Sequence, residues 1–456
     1  MKQNLKSTAI VLLLFLLGIS PVYFNYVFND NIKAVLFVVF LLSFYIISIY
    51  EPIDAAIVFI LFSFLIKFNF VVYSYIRVNH VLFLVLVLSQ IIFKIKRLDI
   101  VRKAKIVIKD KYFFLNVILV LIMFVSSTLN SINKWDSYRI IIVFAFAIAV
   151  YLFLAIYYLS IDFEKRKFIT DKLFIKSSLV FSILGITLLI LLKFFNVWDQ
   201  YFNVIPTGSF IRLHFSEDPN YYASFILPGI LISISKFKSL NKFEKAIIPI
   251  CILAFILTVS FGTFIALGFG ILLIFRYKFI NFTSIKKYFN KKYMLRFGIP
   301  IILLFLLISP FVYKKFSAVI EQKRISSNER MEVWRDSLTM NTKNIKTLLL
   351  GVGNDNAKYN TGFYKRTNYP RDMHNSYLQL YAENGILGFA VFTLLVIVAF
   401  KKISQNINYD YSYKVVLYSI LAAYFFIGLF NVYVVWFTIN LIYATYLEEF
   451  KRNEVF

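Results

Sequence analysis

The chain is poor in the residues that usually carry chemistry, with one cysteine and three histidines in 456 residues, and its acids are outnumbered, 24 Asp and Glu standing against 50 Lys and Arg. The one thiol, Cys251, lies in an apolar run, which leaves neither a disulfide framework nor a cysteine metal site. Two of the three histidines, His214 and His374, fall in polar segments, so few positions can supply an imidazole base. A net charge of +26 would suggest nucleic acid in a soluble protein. Here no basic and aromatic module stands apart from the apolar runs, and the Lys and Arg cluster in short stretches between them. That is the positive-inside pattern of a membrane protein, and it excludes a nucleic-acid partner. Internal repeats are absent, and Gly351-Val352-Gly353-Asn354 lacks the Lys-Ser/Thr ending of a phosphate-binding loop, so it is read as a tight turn.

What is abundant is apolar. Hydrophobic residues make up 60% of the chain, against roughly 45–50% in soluble domains, and the mean hydropathy is +0.73. The fold class is therefore all-α, a polytopic transmembrane protein. Lys2 and Lys6 precede the run Thr8 to Phe24, which is long and has no small-residue cleavage site, so it reads as a retained first span with a cytoplasmic N-terminus. Further runs are 34–50, 53–75, 80–93, 112–129, 140–159, 173–195 and 221–235, most near the ~20 residues a spanning helix needs.

Charge sets the topology. The basic loops 94–111 and 162–172 lie two crossings apart, hence on one side, and the positive-inside rule makes that side cytoplasmic. The polar segment 196–222 is then external. The run 247–275 must be a hairpin turning near Ser260-Phe261-Gly262, because only a hairpin returns the Lys- and Arg-rich stretch 276–296 to the cytoplasm. A crossing at 300–313 places 314–385 outside, 386–400 returns to Lys401-Lys402, and 415–446 reads as another hairpin breaking near 428–431. The total is about twelve to fourteen spans. Five regions follow: an N-terminal bundle 1–195, an external loop 196–222, helices 223–313, a large external loop 314–385 and C-terminal helices 386–456.

The large loop exceeds an ordinary connection. Ser326 with Glu329, and Ser376 with Gln379, have capping-box spacing ahead of helices through Trp334 and up to Gly385, so the loop is expected to fold as short helices back on the membrane. His374 sits at such a helix start, where the dipole favours bound anions and a neutral imidazole suited to a general base; a polar surface role is the alternative. Arg330 lies in a first turn, where a cation opposes the dipole. Its partner is either a distant anion or a carboxylate such as Glu329 or Glu332. Arg212 and His214 share the shorter loop with Glu217 and Asp218, and a snorkelling or salt-bridged Arg212 is the ordinary alternative. The basic balance of 314–385 favours an anionic ligand such as a phosphate or diphosphate. The runs 140–159, 173–192 and 301–311 read as nearly free of charge, which puts the polar site at the outer face and argues against an ion-coupled transporter.

Taken in order, Arg212 with Asp218-Pro219-Asn220, the Thr258 to Gly262 turn, Arg330 with Trp334, the Gly351 and Gly353 turn, and His374-Asn375 leading to Glu383-Asn384-Gly385-Ile386-Leu387-Gly388 resemble the O-antigen ligase and polymerase superfamily. The resemblance covers about residues 212–400. Members often carry Ser-Arg-Gly at the hairpin turn, and this chain has Ser260-Phe261-Gly262. The resemblance implies a metal-independent, GT-C-like glycosyltransferase, without cofactor, at the outer face of the bacterial cytoplasmic membrane. Its donor would be an undecaprenyl-diphosphate-linked oligosaccharide, its acceptor a glycan or lipid-linked unit, with a chain-length regulator as a further partner. It implies catalytic roles for His374 (base), Arg330 and Arg212 (diphosphate), and substrate contacts from Asn375, Asn220, His214, Tyr377 and Arg371. The activity is read as polymerisation of O-antigen or capsular repeat units; transfer of the finished glycan by a ligase, and a lipid-linked oligosaccharide transporter, are the alternatives.

Overall fold

A computed structural model describes residues 2–23, 30–64, 71–73, 76–93, 97–195, 219–258, 260–278, 328–371, 373–405, 410–425 and 433–447. In it the chain is an all-α bundle. The N-terminal helices are α1 (Lys2–Tyr23), α2 (Asp30–Tyr50), α3 (Pro52–Phe64), α4 (Val78–Phe93), α5 (Arg97–Lys109), α6 (Lys111–Asn130), α7 (Lys134–Leu159) and α8 (Phe163–Phe195). Then come α9 (Pro219–Ser235), α10 (Lys242–Leu257), α11 (Phe261–Lys278), α12 (328–340), α13 (Ile345–Leu350), α14 (Gly362–Thr367), α15 (Ser376–Gln405), α16 (Tyr411–Ala423) and α17 (Tyr433–Thr445). Several starts are fixed by local polar chemistry. Asp110 accepts from Tyr112 N at 2.9 Å, Asn241 and Glu244 form a reciprocal capping box, and Asp410 accepts from Ser412 N.

Four described helices, 32–50, 111–130, 134–159 and 376–405, have the length and apolarity to cross a membrane, and six shorter apolar helices accompany them. Their outward faces are apolar as well: Leu42, Leu121, Ile142, Leu394 and Ile397 are all exposed. Such a surface suits lipid, where backbone polar groups are satisfied within each helix.

Three expectations need correction. The run 53–75 is not one helix: α3 stops at Phe64, and Val71–Tyr73 pairs antiparallel with Ile76–Arg77, in keeping with the β-branched and aromatic residues there. The basic stretches 94–111 and 162–172 are largely helical, as α5 and the first turns of α8, because Lys, Arg and Glu are good helix formers and the positive-inside rule reads side, not conformation. The run 173–192 carries Lys176, which pairs with Asp54 of α3 at 3.4 Å and donates to Ser7 of α1 at 2.6 Å. The expected crossing at 300–313 lies outside the described residues.

The arms of both expected hairpins are helical, and the expected break at 428–431 lies outside the described residues. Both α10 and α11 pack on α9. Glu244, at the start of α10, pairs with Lys172, and Tyr277, at the end of α11, stacks on Tyr411 at 5.6 Å. The turn between them returns to Asn220, whose Oδ1 accepts from Ser260 Oγ at 2.6 Å. Likewise α16 and α17 meet where Asp410 N donates to Tyr446 OH at 3.3 Å.

One end of the bundle is ionic. Lys236 bridges Asp171 at 2.5 Å and Asp410 at 2.8 Å, Lys167 reaches Asp410 at 3.3 Å, and Tyr413 OH donates to Asp171 at 2.8 Å. Lys172–Glu244, Lys176–Asp54 and the Arg166 bond to the Leu447 carbonyl belong to the same end. Since Tyr411 OH donates to Ser235 O at 3.0 Å, α9 and α16 run antiparallel. Asn220 and Tyr424 therefore lie together at the opposite end.

Candidate functional site

The opposite end is organised by α15, which is broken at Gly385 (φ 64°, ψ −167°) into a polar arm, 376–384, and an apolar arm that continues through the bundle. Asn375 begins the polar arm: its Oδ1 accepts from Tyr377 N and Leu378 N, each at 3.1 Å. This displaces the expected Ser376–Gln379 box by one residue. Ser376 instead donates its N–H to Tyr424 O at 2.9 Å, and Gln379 reaches forward to Glu383 Oε1 at 3.0 Å. The left-handed backbone of His374 (φ 48°) makes Asn375 the last non-helical residue.

The far end of the arm explains the glycine turn. A helix leaves its last carbonyls without intrahelical donors, and here Ala382 O and Glu383 O accept from Val352 N at 2.9 Å and Gly353 N at 3.0 Å. The two backbones lie so close that a Cβ on Gly351 would fall on the Glu383–Asn384 peptide and one on Gly385 on the Leu349 carbonyl. Gly351 has φ 74° and Gly353 φ 92°, both in the region where a side chain is strained.

Next to this arm lies α12. Trp334 Nε1 donates to Met373 O at 2.5 Å, and Ser337 Oγ touches Met373 Sδ at 3.0 Å, so the residue before His374 is clamped and buried. Arg330 is one turn before Trp334 on the same edge of α12, which directs it towards the segment carrying His374. Glu329 pairs with Arg371 and Glu332 with Arg366. Partial burial lowers the pKa of the Arg371 guanidinium, which also lies over the Phe363 ring at 5.7 Å. Asp336 accepts from Gly362 N at 2.8 Å and holds α14 to α12.

The remaining expected residues divide. Asn220 reaches this end of the bundle beside Ser260, so the flank of the shorter polar segment and the His374 segment share one end. Tyr377 donates its hydroxyl to Leu421 O at 2.8 Å, and its ring lies 4.7 Å from that of Phe425. Arg212, His214 and the Ser326 cap lie outside the described residues. Among the described residues no group of three His, Cys, Asp or Glu side chains forms a metal ligand set.

A buried amide and hydroxyl clasp went unread in the sequence. Asn354 Nδ2 donates to Met123 O at 3.0 Å and Ser127 Oγ at 2.8 Å, Asn354 Oδ1 accepts from Asn384 Nδ2 at 3.1 Å, and Ser137 Oγ donates to Asn354 O. Asn130 Nδ2 takes Gly351 O at 2.7 Å, Ser126 Oγ takes Glu383 O at 2.7 Å, and Asn133 N donates to Asn356 at 2.8 Å. The turn between α6 and α7 thus grips both glycine turns. Its signal was present as Ser126-Ser127-Thr128-Leu129-Asn130-Ser131 closing an apolar run.

The fold is that of a multi-span helical membrane protein, one end of whose described bundle gathers the polar segment of His374, the α12 edge carrying Arg330 and Asn220. Residues 246–393 match the family model described as O-Antigen ligase, so this part of the chain is similar to that family, in keeping with the resemblance to the O-antigen ligase and polymerase superfamily. The matched region holds the hairpin at Ser260, Arg330, both glycine turns and His374. No curated protein matches the chain.

Proposed function

We propose that the protein is a polysaccharide polymerase of the bacterial cytoplasmic membrane, joining undecaprenyl-diphosphate-linked repeat units at the external face without a metal. The observation that carries the reading is that the His374 helix start, the Arg330-bearing edge of α12 and Asn220 share one end of the bundle. The opposite end gathers Lys103, Lys167, Lys172 and Lys236, in keeping with a cytoplasmic face.

In the proposed step His374 takes the proton of an acceptor sugar hydroxyl as its oxygen bonds to the anomeric carbon from the side opposite the phosphate. The anomeric C–O bond breaks, and undecaprenyl diphosphate leaves with the electron pair. Arg330, joined by Arg212, holds the diphosphate as charge develops on it. Asn375, Asn220, His214 and Arg371 contact the substrate at the rim, and a chain-length regulator is the expected protein partner.

A ligase transferring the finished glycan to a terminal acceptor is the second reading, favoured by the description of the matched family model. The test is the surface-glycan profile of a strain lacking the gene, complemented with wild type or His374→Ala. Glycan reduced to a single repeat identifies a polymerase; long chains retained on undecaprenyl diphosphate identify a ligase. Full restoration by His374→Ala overturns the assigned base and reopens the transporter reading.

A further inference from the structure

Helix α13 has no buried residue, yet it is mostly apolar: Ile345 is 76% exposed and Leu349 39%, one turn apart on one side of the helix. Its position is fixed from two directions. Lys346 Nζ donates to Leu129 O at 3.1 Å at the end of α6, and the Leu349 carbonyl lies against Gly385, where the apolar arm of α15 begins. On both neighbours the adjacent side chains are exposed and apolar, Leu129 and Ile132 on one, Ile386 and Leu387 on the other. Below them the same surfaces continue through Leu121 and Leu394, along the faces these helices turn to lipid.

We propose that α13 is an interfacial helix whose Ile345 and Leu349 enter the lipid at the site end of the bundle, holding the 351–353 turn and the His374 arm at the level of the lipid headgroups. The occupant of this face is bilayer lipid, because the exposed apolar strip is continuous with that of two membrane-spanning helices. The inference rests on the membrane fold and not on the proposed reaction. It would give the polar loop a fixed height above the hydrocarbon, where the phosphates of a lipid-anchored substrate lie.

The test uses the full chain in phosphatidylglycerol-containing nanodiscs, with Cys251, the only cysteine, replaced by Ala. Nitroxide labels are placed at Ile345→Cys and Leu349→Cys, with Lys365→Cys on exposed α14 as the aqueous reference and Leu394→Cys as the lipid reference. Both test labels are expected to prefer collision with oxygen over a water-soluble nickel complex several-fold more than Lys365→Cys, approaching Leu394→Cys. Nickel accessibility equal to that at Lys365→Cys overturns the proposal. So does shielding from both reagents, which would indicate a protein partner or a second copy on this face. Fluorescence quenching of Ile345→Trp by brominated lipid, measured against wild type, gives the same decision without a label.

Discussion

At one end of the bundle Lys236 sits between Asp171 and Asp410, Lys172 on Glu244 and Lys176 on Asp54; at the other, Asn354, Ser127, Asn384 and Ser137 hold the chain with neutral donors and acceptors. Both sets tie distant segments together inside a low-dielectric bundle, but they fail differently. Removing one member of a buried ion pair strands a charge, at a cost of about 3–5 kcal/mol. Loss of one amide bond strands a dipole, at about 1–3 kcal/mol. The ionic end consumes its cations in welding helices together. At the site end the buried clasp between α6, α7 and the glycine turns is made by groups without charge, and the acids Glu329 and Glu332 pair with Arg371 and Arg366 nearer the surface. Glu383 is the buried acid of the clasp; burial pushes its carboxyl up to about 8, which favours the neutral form, and its Oε1 receives the Gln379 amide.

The strongest way to break this contrast is Lys236→Met. With Asp171 and Asp410 left facing each other, thermal unfolding in detergent is expected to show a loss of about 3 kcal/mol; a loss below that of the amide variants would mean that the ionic end is not the stronger weld. Gly385→Ala comes next. A left-handed backbone and a Cβ directed at the Leu349 carbonyl should cost about 2 kcal/mol or more, and glycan transfer should fall with the displaced arm. Unchanged stability would show that the break between the arms is relaxed. The finest test is at Asn375. Asn375→Ala should lose about 1 kcal/mol with the cap, and Asn375→Asp, which can still accept from Tyr377 N and Leu378 N, should restore it. Should Asn375→Asp recover stability but not glycan transfer, the side-chain amide is needed by substrate as well as by the helix.

How far the sequence could be read follows the same division. The hairpin at Ser260 was legible because a basic stretch follows it, and the large loop's helices were legible from capping-box spacing and from Gly385. Lys176 and Asp54 were not, since a single charge inside an apolar run looks like an isolated exception until its partner, more than a hundred residues away, is placed beside it. The α6–α7 clasp was hidden for a related reason: Ser and Asn barely lower the hydropathy of a span, so they mark no boundary. The cap at Asn375 was missed by one residue because Asn and Ser both cap well, and the choice turns on the left-handed backbone of His374, which no residue pattern announces.

The bonds from Val352 and Gly353 to Ala382 and Glu383 also bear on time. These amides belong to a buried turn outside the spanning helices, and their acceptors are the last carbonyls of a helical arm whose other end is held on Tyr424. Neither can reach solvent by local fraying; the turn must leave the whole arm. Deuterium should therefore enter both positions together and late, so that a short stretch of loop keeps the slow clock of the membrane-embedded core.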